Sequence, residues 1–176
     1  MKRLYSKAQV WGIDIMVGVV IFTAAIIAAL LYLAQFYDAN SGEFNDLAND
    51  ANTISSSLLS GGYPDDWNSS DAVMAGLTND NMRLNETKWG NFSAMGYSMS
   101  KRLLGTRNDY LVFFVDEENN VIDIGGSSYA GKPSVTRDNF ASQDTEGTVQ
   151  VSRFLLHNAT DGNSYKMIKM VVYVWT

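Results

Sequence analysis

The chain has 176 residues, of which 46% are hydrophobic, and a formal net charge of -6. It has no cysteine and one histidine, which excludes a disulfide framework, a cysteine-based zinc site and a histidine-pair metal site. With 13 basic against 19 acidic residues, it also lacks the basic excess that nucleic-acid binding needs. We therefore expect no metal, no cofactor and no nucleic-acid partner.

The apolar residues are concentrated near the N-terminus. The 20 residues from Ile15 to Ala34 contain no charge and no proline, and only Gly18 and Thr23 fall outside the apolar set. As a helix with a 1.5 Å rise per residue, this stretch would span about 30 Å, the thickness of a bilayer's hydrocarbon core. The rest of the chain is only about 40% apolar, close to a soluble domain. The sequence predicts a transmembrane helix at 9–37 and a soluble head at 38–176, with a buried core helix as the alternative to membrane insertion.

The flanking charges predict how this helix is oriented. Lys2, Arg3 and Lys7 precede it without an intervening acid, whereas the first charges after it are Asp38 and Glu43. Because basic residues favour the cytoplasmic side, the N-terminus is expected inside and the head outside. The expected location is therefore a membrane anchor with an external head.

The residues before the helix carry a recognisable pattern: Lys7-Ala8-Gln9-Val10, then Trp11-Gly12-Ile13-Asp14. It resembles the class III signal peptides of archaeal type IV pilin-like proteins. The resemblance implies that a prepilin peptidase cuts between Ala8 and Gln9, so that residues 1–8 are a leader. Removing them would leave 10 basic against 19 acidic residues, a formal charge of -9. A plain N-terminal anchor, whose basic flank only sets topology, is the alternative.

The same resemblance implies a surface filament in which the helix forms the core. Copies of this chain or other pilin-like subunits would be its partners, with an assembly ATPase and a membrane platform protein. The residues expected to bury against neighbouring helices are Val19, Phe22, Ile26, Leu30 and Leu33. Asp14 has two readings. A carboxylate at a helix N-terminus is favoured by the helix dipole by about 0.3–1 kcal/mol, while the similarity to bacterial type IV pilins implies pairing with a neighbour's terminal amine.

The head begins with a polar interruption, 38–42, which predicts a kink or a short linker. Apolar residues then recur at helical spacing and predict a core-facing helix ending at Gly61-Gly62: Phe44, Leu47, Ala51, Ile54 and Leu58. A second helix is predicted over Thr87–Leu104, terminated by Gly105. The short segment Ala72–Leu77 fits a helix or a strand.

From Asp109 the apolar period changes to two, which indicates strands. Tyr110–Asp116 and Val121–Ile124 are predicted to form one hairpin, and Val149–His157 with Lys166–Trp175 another. The intervening polar stretch, Gly125–Gly147, is predicted to be a surface loop. The expected fold class is α+β, with a long N-terminal hydrophobic helix and a small antiparallel sheet of about four strands in the head.

Other candidate sites are weaker. Four Asn-x-Ser/Thr sequons in the predicted external head are candidates for N-glycosylation, at Asn68, Asn85, Asn91 and Asn158. His157 is expected to be structural, and the acidic runs at 65–66 and 116–118 are expected to be solvated turns rather than calcium ligands. No nucleophile or phosphate-binding motif is present, so we expect a filament subunit and no enzyme. The alternatives are a monomeric membrane-anchored adhesion or ligand-binding module and, more weakly, a membrane-bound hydrolase.

Overall fold

The computed structural model describes residues 5–79, 82–158 and 164–176, with side chains at 12–33, at 42 and from 44 onward within these ranges. The chain divides into two compact units, residues 1–43 and 44–176. The expected α+β class with an N-terminal apolar helix is confirmed. In chain order the elements are α1 (Tyr5–Leu58), β1 (Thr78–Asn79), β2 (Arg83–Leu84), α2 (Glu86–Ala94), α3 (Tyr97–Leu104), β3 (Asp109–Val115), β4 (Val121–Ile122), β5 (Tyr129–Gly131), a 3₁₀ turn (Phe140–Ser142), β6 (Thr148–Asn158) and β7 (Tyr165–Trp175).

In the first unit, α1 runs from Tyr5 to the boundary at residue 43. Among the described residues, Gly12–Leu33 is a helical segment of 22 residues with a mean hydropathy of 2.7, long and apolar enough to cross a membrane. A segment of this composition near an N-terminus is typical of a membrane anchor or a signal sequence. The polar residues 38–42, where the sequence predicts a kink or linker, are helical and do not end α1.

The last turns of α1 supply one side of the core of the second unit. Leu47, Ala51, Ile54 and Leu58 are buried, as their helical spacing predicts, whereas Phe44 at the start of the same stripe is exposed. The helix ends at Leu58, and Gly62 then takes a left-handed backbone with φ of +77°. This stripe is therefore core in the second unit, with Phe44 as its exception.

The sheet is larger than expected. Its strand order is β1-β2-β6-β7-β3-β4, with β5 also paired to β3, which makes seven strands among the described residues. Both predicted hairpins are confirmed, because β3 pairs antiparallel with β4 and β6 pairs antiparallel with β7 over 11 residues. The expectation of a purely antiparallel sheet of about four strands is wrong, since β2 pairs parallel to β6 and adds the short β1–β2 pair at one edge.

Two predicted segments differ from the structure. The single helix over Thr87–Leu104 is two helices, because Met95 and Gly96 have extended backbones with ψ of 138° and 134°. Gly105 ends α3 in the left-handed conformation, as predicted. The segment Ala72–Leu77 is neither helix nor strand, since the Leu77 amide bonds to the last turn of α1 through Leu58 O at 2.8 Å.

The polar stretch 125–147 also proves to be more than a loop. It contains β5 and the 3₁₀ turn, and its Val135 and Phe140 pack on the outer face of the sheet, the face turned away from α1's buried stripe. There they cover Val171 and Trp175 of β7 and form a second, smaller core. The sheet is thus buried on both faces over part of its length.

Candidate functional site

The residues predicted to form a filament core lie along one exposed side of α1. Their side chains are all exposed in the structure: Val19, Phe22, Ile26, Leu30 and Leu33. The neighbouring apolar residues Val20, Ile27 and Leu31, which point in other directions, are exposed as well. The segment is therefore apolar all round, which is the pattern of a helix that needs an apolar surrounding rather than a single partner face.

The predicted processing residues lie near the start of α1. Lys7, Ala8 and Gln9 have helical backbones, and their side chains lie outside the described set. Asp14 is exposed and lies nine residues beyond Tyr5, the first residue of α1. The dipole interpretation of Asp14 is therefore wrong for this chain as it stands, because the dipole effect fades beyond the first turn of a helix.

The four sequons differ in their surroundings. Asn68 and Asn158 are exposed. Asn85 is half-buried and caps α2, its side-chain oxygen accepting from the Lys88 amide at 3.1 Å. Asn91 is half-buried in α2 and donates from Nδ2 to Trp67 O at 3.2 Å. Asn68 also donates from Nδ2 to Asp71 Oδ2 at 2.9 Å, so the four asparagines differ in burial, with Asn68 and Asn158 exposed and Asn85 and Asn91 half-buried.

A charged cluster that the sequence does not reveal lies at the start of β3. The Asp109 carboxylate accepts from Lys132 Nζ at 2.6 Å, from Tyr97 Oη at 2.8 Å and from Lys101 Nζ at 3.1 Å. Partial burial alone would raise the pKa of Asp109, but hydrogen bonds from Lys132, Tyr97 and Lys101 outweigh it and lower the pKa to about 2. The cluster therefore joins α3 through Tyr97 and Lys101, the start of β3 through Asp109, and the residue after β5, Lys132, so it has the character of a structural clamp.

The tyrosine hydroxyls around this cluster are held in their neutral form. Burial, the hydrogen bond to Asp109 and its negative charge together raise the pKa of Tyr97. Burial also raises the pKa of Tyr110 to about 12, although its hydroxyl bonds to Ser100 Oγ. Neither tyrosine is suited to proton transfer near neutral pH.

A cleft of about 430 Å³ opens beside the β3–β4 turn and the β6–β7 hairpin. His157 lines it and its Nε2 lies 2.9 Å from Glu86 Oε1, which ties β6 to α2 as expected of a structural histidine. The cleft's charged lining residues are Asp116, Glu117, Glu118, Asp123 and Lys166. It has both signs of charge and an apolar floor, which suits a small polar ligand or a charged side chain.

The acidic runs act as turns in this structure. Asp116 accepts from the amide and Nδ2 of Asn120, which closes the β3–β4 turn. Asp65 lies 3.5 Å from the Nζ of Lys88, a buried lysine that also donates to Gly61 O at 2.8 Å. Among the described residues, no three His, Asp or Glu side chains converge as a metal site would need.

A second surface that the sequence does not reveal lies on the outer face of the sheet, near the β6–β7 hairpin. We call it the sheet patch and define it by the exposed side chains Phe154, Leu156, Tyr165 and Met167 with the basic Arg83 and Lys169. Cross-strand register places Leu156 opposite Met167 and Phe154 opposite Lys169. The Arg83 guanidinium lies 4.5 Å from the centre of the Tyr165 ring, so the two residues share this face.

The sequence does not reveal the sheet patch, because successive residues of a strand point to opposite faces and the exposed residues alternate with core residues. The β6 sequence Phe154-Leu155-Leu156 looks uniformly apolar, and only the register shows that Leu155 is core while its neighbours face outward. One signal is visible in the sequence: β6 and β7 contain more apolar residues than a single buried face needs, and the surplus is Phe154, Leu156, Tyr165 and Met167.

No protein-family model, no curated protein and no solved structure matches this chain.

Proposed function

We propose that this chain is a structural subunit, major or minor, of an archaeal type IV pilus-like surface filament. The observation that carries the proposal is the 22-residue apolar segment Gly12–Leu33, exposed on all sides, directly after the Lys7-Ala8-Gln9 pattern. A prepilin peptidase would remove residues 1–8 on the cytoplasmic side. An assembly ATPase and a membrane platform protein would then move the subunit from the membrane into the filament, with the head outside the cell.

The mechanism is a transfer between two apolar surroundings. In the bilayer, lipid covers the apolar side chains of Gly12–Leu33. In the filament, equivalent helices of neighbouring subunits cover Val19, Phe22, Ile26 and the other core residues. Each large side chain is worth about 1.5–3 kcal/mol when buried, so extraction costs tens of kcal/mol in total. Lateral packing returns most of this, and the ATPase supplies the remainder.

Within this proposal Asp14 pairs with the amino terminus that cleavage creates at Gln9 of a neighbouring subunit. Asp14 is exposed and lies inside the apolar segment, where an unpaired carboxylate is expensive in lipid or in a helix core. An ion pair with the amine would lower that cost. Such a pair would also set the axial offset between neighbouring subunits.

The proposal also predicts which sequons carry glycans on the external head. Asn68 and Asn158 are exposed and are the expected sites. Asn85 and Asn91 hold the start of α2 and Trp67 O, and we expect them to stay unmodified. Peptide mass spectrometry of the native protein tests this, and glycans on Asn91 with Asn68 bare would contradict it.

The decisive experiment is N-terminal mass spectrometry of the chain expressed with and without a prepilin peptidase. We expect a mature chain beginning at Gln9 only with the peptidase, and none when Lys7→Ala and Ala8→Leu are combined. Gly12→Ala is the matched control, because an added Cβ there meets no atom within 4 Å. A chain that still begins at Met1 in the presence of the peptidase contradicts the proposal.

The cleft beside His157 favours a second candidate, a monomeric membrane-anchored adhesion or ligand-binding module. Such a module needs a binding site but no filament. Shearing cells and examining the released surface fraction separates the two candidates. Recovery of the chain in filaments supports the subunit, whereas recovery only as a detergent-soluble monomer supports the binding module.

A further inference from the structure

The sheet patch is an apolar surface that the second unit leaves uncovered. The outer face of the sheet continues from the small core under Phe140 to Phe154, Leu156 and Met167, but the segment 129–142 covers only the first part. Exposed apolar side chains that are contiguous and bordered by charge mark interaction surfaces. The bordering charges here are Arg83 and Lys169, and the described residues of this face of β6 and β7 include no Asp or Glu.

A second exposed apolar surface with the opposite charge lies in the loop after α1. We call it the loop patch and define it by the exposed side chains of Tyr63, Val73 and Met74 with Asp65, Asp66 and Asp71. Backbone bonds hold its two arms together, from Tyr63 N to Met74 O and from Val73 N to Tyr63 O, both at 2.9 Å.

The loop patch is also firmly attached to the core. The ring of Trp67 is buried beneath it and donates from Nε1 to Gly76 O at 3.0 Å. The loop patch is therefore an ordered surface rather than a loose tip, and it presents its apolar and acidic side chains in a fixed arrangement.

We infer that the sheet patch of one copy receives the loop patch of a second copy. The inference rests on the self-association that the proposed function requires, and names the surfaces used. Both patches are apolar at the centre, and their borders have opposite charge, so contact buries apolar area while bringing Arg83 and Lys169 near Asp65 and Asp66. Because the two patches differ, the contact is heterologous. A pair joined in this way keeps a free loop patch on one copy and a free sheet patch on the other, so further copies can add in a row.

Each patch has only a few large side chains, so the area that it can bury is smaller than the roughly 800 Å² per partner of a stable interface. The contact is therefore weak between free chains and becomes effective when the apolar helices already hold neighbours together, which raises their local concentration. Head contacts of this kind would set the spacing of subunits in the filament but would be too weak to join subunits before assembly.

The absence of cysteine allows a direct test by disulfide trapping in the full-length chain. Val73→Cys and Met167→Cys each place one thiol in one patch, and Asp144→Cys is an exposed control outside both. The single variants are purified in detergent micelles, mixed pairwise at high concentration and mildly oxidised. We expect the Val73→Cys and Met167→Cys mixture to give about tenfold more dimer than any self-pairing or Asp144→Cys mixture, the ratio that a preference of about 1.4 kcal/mol produces.

The outcomes separate this inference from the proposed function, because the assay requires neither leader cleavage nor a filament. Met167→Cys cross-linking to itself as readily as to Val73→Cys indicates a symmetric contact and overturns the inference. Equal, low yields for all mixtures overturn it as well. A polarity-sensitive fluorophore attached to Met167→Cys gives a further readout in phosphatidylcholine vesicles that contain one chain each. If its emission maximum shifts to the blue there, the sheet patch binds lipid, and the second copy is not its partner.

Discussion

The Asp109 carboxylate holds three side chains at the start of β3, and its removal gives a prediction with a defined pH dependence. Its pKa falls from 3.8 to about 2 on folding, so the ionised form stabilises the fold. This contribution is complete above about pH 4 and is lost as the pH falls towards 2. Asp109→Asn should lower the free energy of unfolding at pH 7 by about 1–2 kcal/mol, allowing for the carboxylate's partial exposure.

The measurement is urea unfolding of the full chain in detergent micelles at several pH values. Asp144→Asn is the matched control, because Asp144 is exposed and lies outside this cluster. The difference between Asp109→Asn and the unchanged chain should shrink as the pH approaches 2. A difference that stays the same between pH 7 and pH 2 would show that the ionised carboxylate is not its cause.

Gly76 gives a second prediction at the scale of a single residue, which depends on close backbone approach. A Cβ on Gly76 would lie 2.2 Å from Gly62 N and 2.3 Å from Ser60 O, and backbone atoms cannot move aside cheaply. Gly76→Ala should therefore cost about 3 kcal/mol or more in unfolding free energy.

Gly90 is the matched control for that substitution. It lies inside α2, and an added Cβ meets nothing within 4 Å. Gly90→Ala should raise the unfolding free energy by about 0.5–1 kcal/mol, because alanine favours the helix. Urea unfolding midpoints of the two variants should move in opposite directions, and a loss of stability in both would contradict the distinction.

At the scale of elements, α1 has an exposed apolar segment and a C-terminal part buried in the core of the second unit, and the same Ile→Ala substitution can distinguish them. Ile54 is completely buried in the core of the second unit, whereas Ile27 is 52% exposed in the apolar segment. Ile54→Ala should cost about 2–5 kcal/mol in unfolding of the head, since it leaves a cavity. Ile27→Ala should leave that unfolding unchanged in micelles. Near-ultraviolet circular dichroism during urea unfolding reports on the head, and equal losses for both variants would refute the distinction.

The elements that the sequence predicts best are those with long, uninterrupted periods. The stripe from Leu47 to Leu58 and the two hairpins follow from spacing alone, because one buried face selects one period. The break between α2 and α3 is less visible, since apolar residues continue across Met95 at helical spacing and only Gly96 marks it. The edge strands β1 and β2 are two residues long and carry no period, so they follow from contacts that only the folded chain reveals.

The candidate surfaces were predicted unevenly for the same reason. The apolar segment is visible in the sequence because its chemistry is continuous over 20 residues. The sheet patch and the Asp109 cluster join residues that are far apart in the chain, such as Arg83 with Tyr165 and Asp109 with Lys132. Pairings of this kind depend on register and topology, which local composition does not encode.

At the scale of the whole molecule, the apolar segment Gly12–Leu33 is long and apolar enough to cross a membrane, and this gives the last prediction. Twelve Ile, Leu, Val and Phe residues lie in Gly12–Leu33 and contribute about 4–7 kcal/mol to membrane insertion, at about 0.3–0.6 kcal/mol each. Two aspartates near the centre cost about 5–7 kcal/mol. Phe22→Asp with Ile26→Asp should therefore move the chain from the membrane to the soluble or degraded fraction.

The control for this prediction uses residues of the same kind in the second unit. Phe154 is 62% exposed and Phe22 is 67% exposed, so exposure within the chain does not distinguish them. Phe154→Asp with Leu156→Asp should leave membrane retention unchanged, because both residues lie outside Gly12–Leu33, while removing the apolar centre of the sheet patch. Carbonate extraction of membranes followed by immunoblotting measures retention. If both double variants are retained equally, something other than Gly12–Leu33 anchors the chain, since two buried aspartates outweigh what the remaining apolar side chains of that segment contribute.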